Sequence, residues 1–263
     1  MAASSVRLAI QGVGHRYGGL QVLDGIDLVA DPGRVLVLVG PSGCGKSTLL
    51  KMVAGMLEPS DGRLLVWRKP VAQIDASGRK MAFVFQAPTL MPWASVQTNV
   101  RLPLDLAGVS RQEADGRVAE ALALVGLDKF AGALPRALSG GMQMRVSIAR
   151  SLVVQPNLLL MDEPFGALDE ITRHRLDADL LDLWLKKKLT VIFVTHSIHE
   201  AVFLSSRVIM MAARPGRVVE QFEIDEPYPR SADFMVSPQF GRHAKRLQDS
   251  LLRASQAHEE LAP

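Results

Sequence analysis

Short apolar runs alternate along the chain with segments of helical periodicity. The runs Arg34–Val39, Leu158–Asp162 and Thr190–Thr195 are apolar except at their ends. A strand with one solvated face would alternate apolar and polar positions, so these runs predict strands that are buried on both faces. Segments with helical spacing lie between them, the clearest of which run from Lys46 to Ala54 and from Asp169 to Lys188. The alternation predicts βαβ units and hence a mainly parallel sheet.

Two regions depart from this alternation. Near the start, Val6–Val13 and Gln21–Ala30 predict a pair of antiparallel strands. From Ala87 to Arg150 helical patterns prevail, with helices predicted from Ser110 to Val125 and from Gly141 to Val153. We therefore expect an α/β fold with an N-terminal antiparallel β subdomain and a mostly helical insertion. The remaining predicted elements are strands over Arg63–Trp67, Met81–Phe85, Val208–Met211 and Val218–Ile224 and a final helix over Pro238–Leu252.

Composition excludes several classes of protein. The 263-residue chain is 48% hydrophobic, which is ample for a large core and excludes intrinsic disorder. A bilayer-spanning helix needs about 20 apolar residues, far more than the longest run here, so an integral membrane protein is not expected. The mean hydropathy of +0.15 fits either apolar surface that a partner covers or a large core. A formal charge of +3 does not indicate nucleic-acid binding. The single cysteine fits a reducing compartment, and Met1–Ile10 shows no export signal.

The first apolar strand leads directly into a glycine-rich loop, Gly40-Pro41-Ser42-Gly43-Cys44-Gly45-Lys46-Ser47-Thr48. The loop fits the P-loop pattern G-x-x-x-x-G-K-[ST] in its required place between a buried strand and a helix. Its glycines let backbone N–H groups turn towards phosphate oxygens, and the helix N-terminus adds positive charge. Lys46 is expected to reach the β- and γ-phosphates, and Ser47 to coordinate Mg²⁺. Cys44 is interpreted as a small filler, with a redox role as the alternative.

Two adjacent carboxylates, Asp162 and Glu163, follow the apolar run that begins at Leu158. Neighbouring strand residues point to opposite sides, so we expect Asp162 to face Mg²⁺ and Glu163 to face the water that attacks the γ-phosphate. His196 follows the next apolar strand and is expected to hydrogen-bond the γ-phosphate and orient that water. An ordinary polar strand end is the alternative for His196. Lys46, Glu163 and His196 are therefore the candidate catalytic residues.

A second loop has the features of an anion site. It comprises Leu138, Ser139, Gly140, Gly141 and Met142 and precedes a helix. A serine, two glycines and a helix N-terminus together suit phosphate oxygens. One nucleotide rarely needs two γ-phosphate sites from the same chain, so we expect this loop to serve ATP that another subunit holds.

In combination, these motifs resemble the ATP-binding-cassette (ABC) family over roughly residues 5–225. By position, residues 40–48 match the Walker A loop, residues 138–142 the signature loop and residues 158–162 the Walker B strand, with Glu163 as the expected base. The resemblance also implies that His196 is the H-loop residue and that Asp169 belongs to the D-loop. It implies that Gln86 is the Q-loop residue and a ligand of Mg²⁺ and ATP. Finally, it implies that Tyr17 stacks on adenine. An ordinary strand-end aromatic is the alternative for Tyr17. Two positions depart from the family pattern: Met142 replaces a frequent glutamine or glutamate, and Gly166 a frequent serine.

The resemblance implies a P-loop NTPase (RecA-like) core within a single ABC ATPase domain over residues 1–263. The α/β nucleotide-binding core would comprise residues 5–86 and 151–225, the helical subdomain residues 87–150, and a short helical tail residues 226–263. Two copies would stack head to tail as a homodimer and enclose two ATP molecules. Each ATP would lie between Lys46 of one chain and Ser139 of the other, so that ATP favours the closed dimer more than ADP does.

Finer details resemble the nitrate, sulfonate and taurine importer branch of the family. They comprise Leu90-Met91-Pro92-Trp93, residues 163–169, residues 214–217 and the short tail. This resemblance implies a peripheral subunit at the cytoplasmic face of the inner membrane. It would bind a transmembrane permease near Met91 and Trp93, act indirectly with a periplasmic or surface substrate-binding protein, and bind no nucleic acid. Local packing of Met91 and Trp93 on the insertion is the alternative.

Other members of the same family share the site. A DNA-repair ATPase would carry a long coiled coil between Gln86 and Ser139, for which the spacing leaves no room. A translation-type cassette protein would carry two P-loops, whereas this chain has one. An importer for another class of substrate and an exporter with a separate membrane chain remain as alternatives.

Overall fold

The computed structural model describes residues 8–74 and 80–259, and within them the predicted strands and helices alternate. The strands are β1 (Leu8–Tyr17), β2 (Leu20–Ala30), β3 (Val35–Val39), β4 (Asp61–Val66), β5 (Lys69–Pro70), β6 (Met81–Val84), β7 (Leu158–Asp162), β8 (Thr190–Thr195), β9 (Arg207–Ala212) and β10 (Arg217–Glu223). The helices are α1 (Lys46–Val53), α2 (Val96–Leu106), α3 (Arg111–Leu124), α4 (Gly140–Leu152), α5 (Glu170–Lys187), α6 (Ile198–Leu204), α7 (Ala232–Met235) and α8 (Pro238–Glu259).

The central sheet has six strands in the order β10-β9-β3-β8-β7-β6. Its neighbouring strands are parallel except β9 and β10, which are antiparallel. Every residue of β3 and β8 is buried, as their pattern, apolar except at the ends of β8, predicts. The α/β fold class is therefore confirmed.

The two faces of this sheet belong to different parts of the core. Val35, Val37 and Val39 of β3 pack in a cluster with residues of α5, α6 and α8. Leu36 and Leu38, which alternate with them, pack in a second cluster with α1 and the β1–β2 strands. Because both faces are covered, functional groups are confined to the carboxyl ends of the strands, where open α/β sheets bind ligands.

The N-terminal strands form a separate antiparallel sheet in the order β2-β1-β4-β5. The predicted strand Val6–Val13 corresponds to β1, which continues to Tyr17, while Val6 and Arg7 lie outside the described residues. A bridge between Leu23 of β2 and Gly216 ties this sheet to the end of β9–β10.

The helical insertion has its own small core. Val100 of α2, Val118 and Leu122 of α3 and Val146 of α4 are buried against each other. The sequence analysis assigned no helix to Val96–Leu106, and in this respect it was incomplete. The boundaries proposed for the core, the helical subdomain and the tail stay predictions.

The tail packs back onto the central sheet. Phe240 and Leu247 of α8 are buried in the cluster of α6 and β9. The helix continues to Glu259, beyond the predicted end at Leu252, and residues 260–263 of the predicted tail lie outside the described chain. Among the helices that the structure describes, none combines the length and apolar character that a bilayer crossing requires.

Arg230 fastens the tail to the end of α6. Its guanidinium donates to the carbonyl oxygens of Val202 (2.9 Å), Phe203 (2.9 Å) and Ser205 (2.8 Å), which α6 leaves without helical partners. It also donates to Glu226 O at 2.9 Å and lies 4.2 Å from the centre of the Tyr228 ring. Arg230 is only 6% exposed, so these contacts are shielded from water.

We expect Arg230→Met to lower the free energy of unfolding by about 3–5 kcal/mol, because several buried carbonyls lose their donor at once. Urea unfolding followed by circular dichroism measures the loss. The control is Arg217→Met, since the exposed Arg217 pairs with Asp24 at 2.6 Å and should cost at most about 1 kcal/mol. Equal losses in the two variants would contradict a special role for Arg230.

Candidate functional site

The P-loop turns sharply between β3 and α1. Gly43 and Gly45 have φ values of +79° and +90°, which side chains with a Cβ rarely adopt. At Gly40 an added Cβ would lie 2.4 Å from Met211 O. The Nζ atom of Lys46 donates to Gly40 O at 2.8 Å and to Pro41 O at 3.0 Å, so the ammonium lies within the loop. The loop thus gathers a cation and a helix N-terminus in one place, which suits an anion.

Cys44 lies beneath this loop. The side chain is fully buried in the cluster between the two sheets, and its Sγ atom is 3.7 Å from Lys46 Nζ. Burial raises the pKa of the Cys44 thiol, and the nearby Lys46 charge opposes that rise. A buried neutral thiol is a poor nucleophile, which favours the interpretation as a packing residue over the redox alternative.

Ser47 and Asp162 meet although 115 residues separate them. Ser47 Oγ donates to Asp162 Oδ1 at 2.8 Å, at the carboxyl ends of β3 and β7. Burial raises the pKa of Asp162, and the Ser47 hydrogen bond opposes that rise. A hydroxyl and a carboxylate oxygen beside a phosphate loop are the kind of donors that Mg²⁺ takes, with phosphate and water oxygens completing its shell. Within the described residues there is no group of three or more His, Cys, Asp and Glu side chains that could hold a metal.

Glu163 faces His196. Oε2 of Glu163 lies 3.2 Å from Nδ1 of His196, and the Glu163 N–H donates to Val194 O at 2.9 Å. Asp162 and Glu163 have different partners, Ser47 and His196, but strand alternation is not the cause, and their roles at Mg²⁺ and water stay predictions. The strand β7 ends at Asp162, and Glu163 has a left-handed φ of +44°, so a turn directs its side chain.

Gln86 lies near the same group. A Cβ added to Gly166 would lie 3.6 Å from Cε1 of His196 and 3.8 Å from Nε2 of Gln86. The structure thus brings Gln86, Glu163 and His196 together around Gly166. The glycine that replaces a frequent serine leaves additional room between Gln86 and His196.

The second loop caps α4. The hydroxyl of Ser139 accepts a hydrogen bond from the Met142 N–H at 3.3 Å, as expected for an N-cap residue. A Cβ added to Gly141 would lie 2.8 Å from Cγ2 of Thr172, so this helix packs tightly on the start of α5. Among the described residues, no hydrogen bond or ion pair joins residues 139–142 to residues 40–48 of the same chain.

Asp169 caps the neighbouring helix. Its Oδ1 accepts from the Thr172 N–H at 3.0 Å, and this hydrogen bond lowers the pKa of Asp169. The predicted D-loop and the predicted signature loop therefore lie side by side on one surface.

Tyr17 ends β1 and pairs with Leu20 at the start of β2. Its ring is 49% exposed and packs edge-on against His15, with the ring centres 4.5 Å apart. The paired strand carries Leu23, whose Cδ2 lies 2.5 Å from the position of a Cβ added to Gly45. The side chain of Tyr17 is half exposed, and its stacking on adenine stays a prediction.

The segment after Gln86 is held by hydrogen bonds with Arg150 and Asn99, whereas the side chain of Trp93 in it is exposed to solvent. Arg150 donates to Pro88 O and Thr89 O, each at 2.9 Å. Asn99 is fully buried; it accepts from the Met91 N–H at 2.7 Å and donates to Met91 O at 3.1 Å. Trp93 is 77% exposed, whereas Met91 is partly buried. Sequence reasoning missed the role of Asn99, for which the only signal was an amide at a helical position between apolar residues.

Comparison with known proteins agrees with this geometry. Residues 23–166, more than half of the chain, match the family model described as ABC transporter. The taurine import ATP-binding protein TauB of Rhizobium johnstonii is 47% identical over 231 residues, covering 86% of this chain and 87% of that protein. The aliphatic sulfonates import ATP-binding protein SsuB of Bacillus cereus is 43% identical over 214 residues, covering 81% and 83%.

A solved structure extends the comparison to the fold. The ATP-binding cassette MJ0796, solved as a dimer in a post-hydrolysis state with ADP and Pi, matches with a TM-score of 0.72 and 30% identity. The match covers 84% of this chain and 100% of that chain.

Proposed function

The chain belongs to the ABC transporter family, and from this premise we propose that it is the ATP-hydrolysing subunit of an importer for nitrate, an aliphatic sulfonate or a taurine-like compound. One observation carries the proposal: a P-loop and a second capped glycine loop lie on one chain, and among the described residues no hydrogen bond or ion pair joins them. The import substrates named for TauB and SsuB, to which the chain is similar over most of its length, support the choice of substrate.

In the proposed reaction, the P-loop holds the triphosphate of ATP. Its backbone N–H groups and the α1 N-terminus bind phosphate oxygens, and Lys46 reaches the β- and γ-phosphates. Tyr17 stacks on adenine with its exposed face. Ser47, Asp162 and Gln86 would hold Mg²⁺, which when bound neutralises charge on the phosphate oxygens.

Hydrolysis requires a base at the attacking water. Glu163 accepts the proton of that water, and a left-handed turn directly after Asp162 sets the direction of its carboxylate, which lies beside His196. His196, 3.2 Å from Glu163, hydrogen-bonds the γ-phosphate and keeps the water in line.

The second loop completes the site of a partner copy. In a head-to-tail homodimer, Ser139, Gly140, Gly141 and Met142 of one subunit contact the γ-phosphate held by the other, and Asp169 lies at the interface. Since two loops then bind one γ-phosphate, ATP stabilises the closed dimer more than ADP does. The difference drives opening and closing of the dimer.

The movement must reach a membrane subunit. We place the docking site at Met91 and Trp93, where an exposed indole projects from a loop that Asn99 and Arg150 hold rigid. Residues 87–150 would move relative to residues 5–86 and 151–225, with Gln86 at the joint and residues 226–263 as a tail. The subunit would be peripheral at the cytoplasmic face of the membrane, with a substrate-binding protein on the other side.

The test is transport in vesicles that contain the chain and the membrane subunit that co-purifies with it. We expect ATP-dependent uptake of labelled taurine, an alkanesulfonate or nitrate when the binding protein is added outside. Lys46→Ala in the same vesicles should reduce uptake by about 100-fold, since it removes a cation from the phosphate site. Efflux without uptake would show an exporter, and uptake of an unrelated solute alone would contradict the proposed substrate class.

A further inference from the structure

A buried polar cluster between α5 and α6 has no role in the reaction described so far. Glu200 is 3% exposed and Asp177 is 1% exposed, and Arg173 lies beside them. Burying ionisable groups costs free energy unless they are paired, so a stable fold retains such a cluster only with compensating contacts.

One side of the cluster fixes the backbone around His196. The Thr195 hydroxyl donates to Oε2 of Glu200, and Thr195 Oγ1 accepts from the Ser197 N–H at 2.9 Å. Both contacts bracket His196, the residue between Thr195 and Ser197. The side chain of His196 is 55% exposed, so its direction depends on this backbone more than on packing.

The other side of the cluster reaches the loop before α5. Nη2 of Arg173 donates to Leu168 O at 3.0 Å, and Nε of Arg173 lies 3.7 Å from Oε1 of Glu200. Leu168 Cδ2 is 3.7 Å from the position of a Cβ added to Gly140. A continuous path of contacts therefore runs from the Ser139–Met142 loop through Leu168, Arg173 and Glu200 to the backbone at His196.

The cation of Arg173 faces both buried carboxyl groups of the cluster. Burial raises the pKa of Asp177 well above its ordinary range, and the Glu200 charge adds to that rise. Asp177 Oδ1 has no hydrogen-bond partner among the residues that the structure describes. Burial also raises the pKa of Glu200, and the hydrogen bond from Thr195 and the charge of Arg173 oppose that rise.

We propose that the Arg173–Glu200 pair is a positioning unit, which aligns His196 for hydrolysis and links that alignment to the D-loop and signature loop of the same subunit. The inference rests on the proposed role of His196 at the γ-phosphate. Neither Arg173 Nε nor Glu200 Oε1 has a hydrogen-bond partner in the described chain. A shift of less than about 1 Å would join them in a charge-assisted hydrogen bond, which the closed dimer can supply.

The test is Glu200→Gln in the full chain, assayed with its co-purifying membrane subunit. A carboxylate accepts hydrogen bonds from both Thr195 and Arg173, whereas an amide has only one acceptor oxygen and loses one link. We expect kcat to fall about 10-fold while the KM for ATP stays within about twofold, because no group of the P-loop is disturbed. Arg173→Met should act on the same path, so the double variant should be hardly slower than either single variant.

Three further variants separate positioning from general disturbance. Asp177→Asn changes the same buried cluster but leaves the contacts of Glu200 with Thr195 and with Arg173 in place. It should therefore retain wild-type kcat. Thr195→Val should lower kcat as Glu200→Gln does, and Thr195→Ser, which keeps the hydroxyl, should restore it. These two variants carry the test if Glu200→Gln does not fold, as judged by its thermal unfolding.

The proposal is overturned if folded Glu200→Gln keeps wild-type kcat, or if Asp177→Asn is equally slow. Failure of the proposed function would look different. In that case the wild-type chain would turn over no ATP, or Glu163→Gln would leave turnover unchanged.

Discussion

Glu163→Gln is expected to lower ATP turnover by about 10²–10⁴-fold, the usual contribution of a general base. The amide keeps the size of the side chain and can still hydrogen-bond Nδ1 of His196, which lies 3.2 Å from the carboxylate. It cannot take a proton from water. ATP binding should be unchanged, and the closed dimer should accumulate because the triphosphate that holds it is no longer cleaved.

Phosphate release and size-exclusion chromatography with ATP measure these two effects. Glu223→Gln is the matched control, since Glu223 ends β10 at the opposite edge of the sheet, where it pairs with Arg207 at 2.6 Å. It should turn over ATP at the wild-type rate and form no trapped dimer. Comparable turnover in Glu163→Gln and Glu223→Gln would refute the assignment of the base.

The central strands were predictable because burial on both faces leaves a strong local signal. In β3 and β8 every position is buried, and the sequence there is apolar apart from the threonines Thr190 and Thr195, which begin and end β8. The helix α2 gave no such signal, since Pro103 lies inside it and its buried face includes the polar Asn99. Tertiary contacts of Asn99 with the Met91 loop stabilise that helix, and a local pattern does not contain them.

The parts of the site that belong to recognisable sequence motifs were predictable. The Ser47–Asp162 contact joins distant positions, and the P-loop and strand-end motifs implied it. The separate partners of Asp162 and Glu163 arise from a left-handed turn at Glu163 and not from the predicted strand alternation, since such a turn cannot be distinguished from a strand end in the sequence. No sequence motif marks the contact between Arg173 and Glu200. The sequence alone does not show which charged residues of two helices will be buried together.

Ser139→Arg is expected to reduce turnover at least about 100-fold while leaving ATP binding by single subunits intact. The substitution removes the hydroxyl that caps α4, and in the proposed dimer the guanidinium would fill the space next to the partner's γ-phosphate. Within the described part of the chain no hydrogen bond or ion pair joins the P-loop to Ser139, so the affinity of the P-loop for ATP should not change. Titration with a fluorescent ATP analogue checks binding, and Lys46→Ala, which is expected to bind weakly, is the reference variant.

Mixing these two inactive variants tests whether the sites are shared between subunits. In a mixed dimer, one site combines both defects, whereas the other combines the intact P-loop of the Ser139→Arg chain with the intact Ser139 of the Lys46→Ala chain. Random assortment makes about half of the dimers mixed, so about one quarter of wild-type turnover should return if the two sites act independently. If Ser139 instead served the ATP of its own chain, no dimer would contain an intact site. A mixture no faster than its separate components would therefore overturn the shared arrangement, even if each single variant behaved as expected.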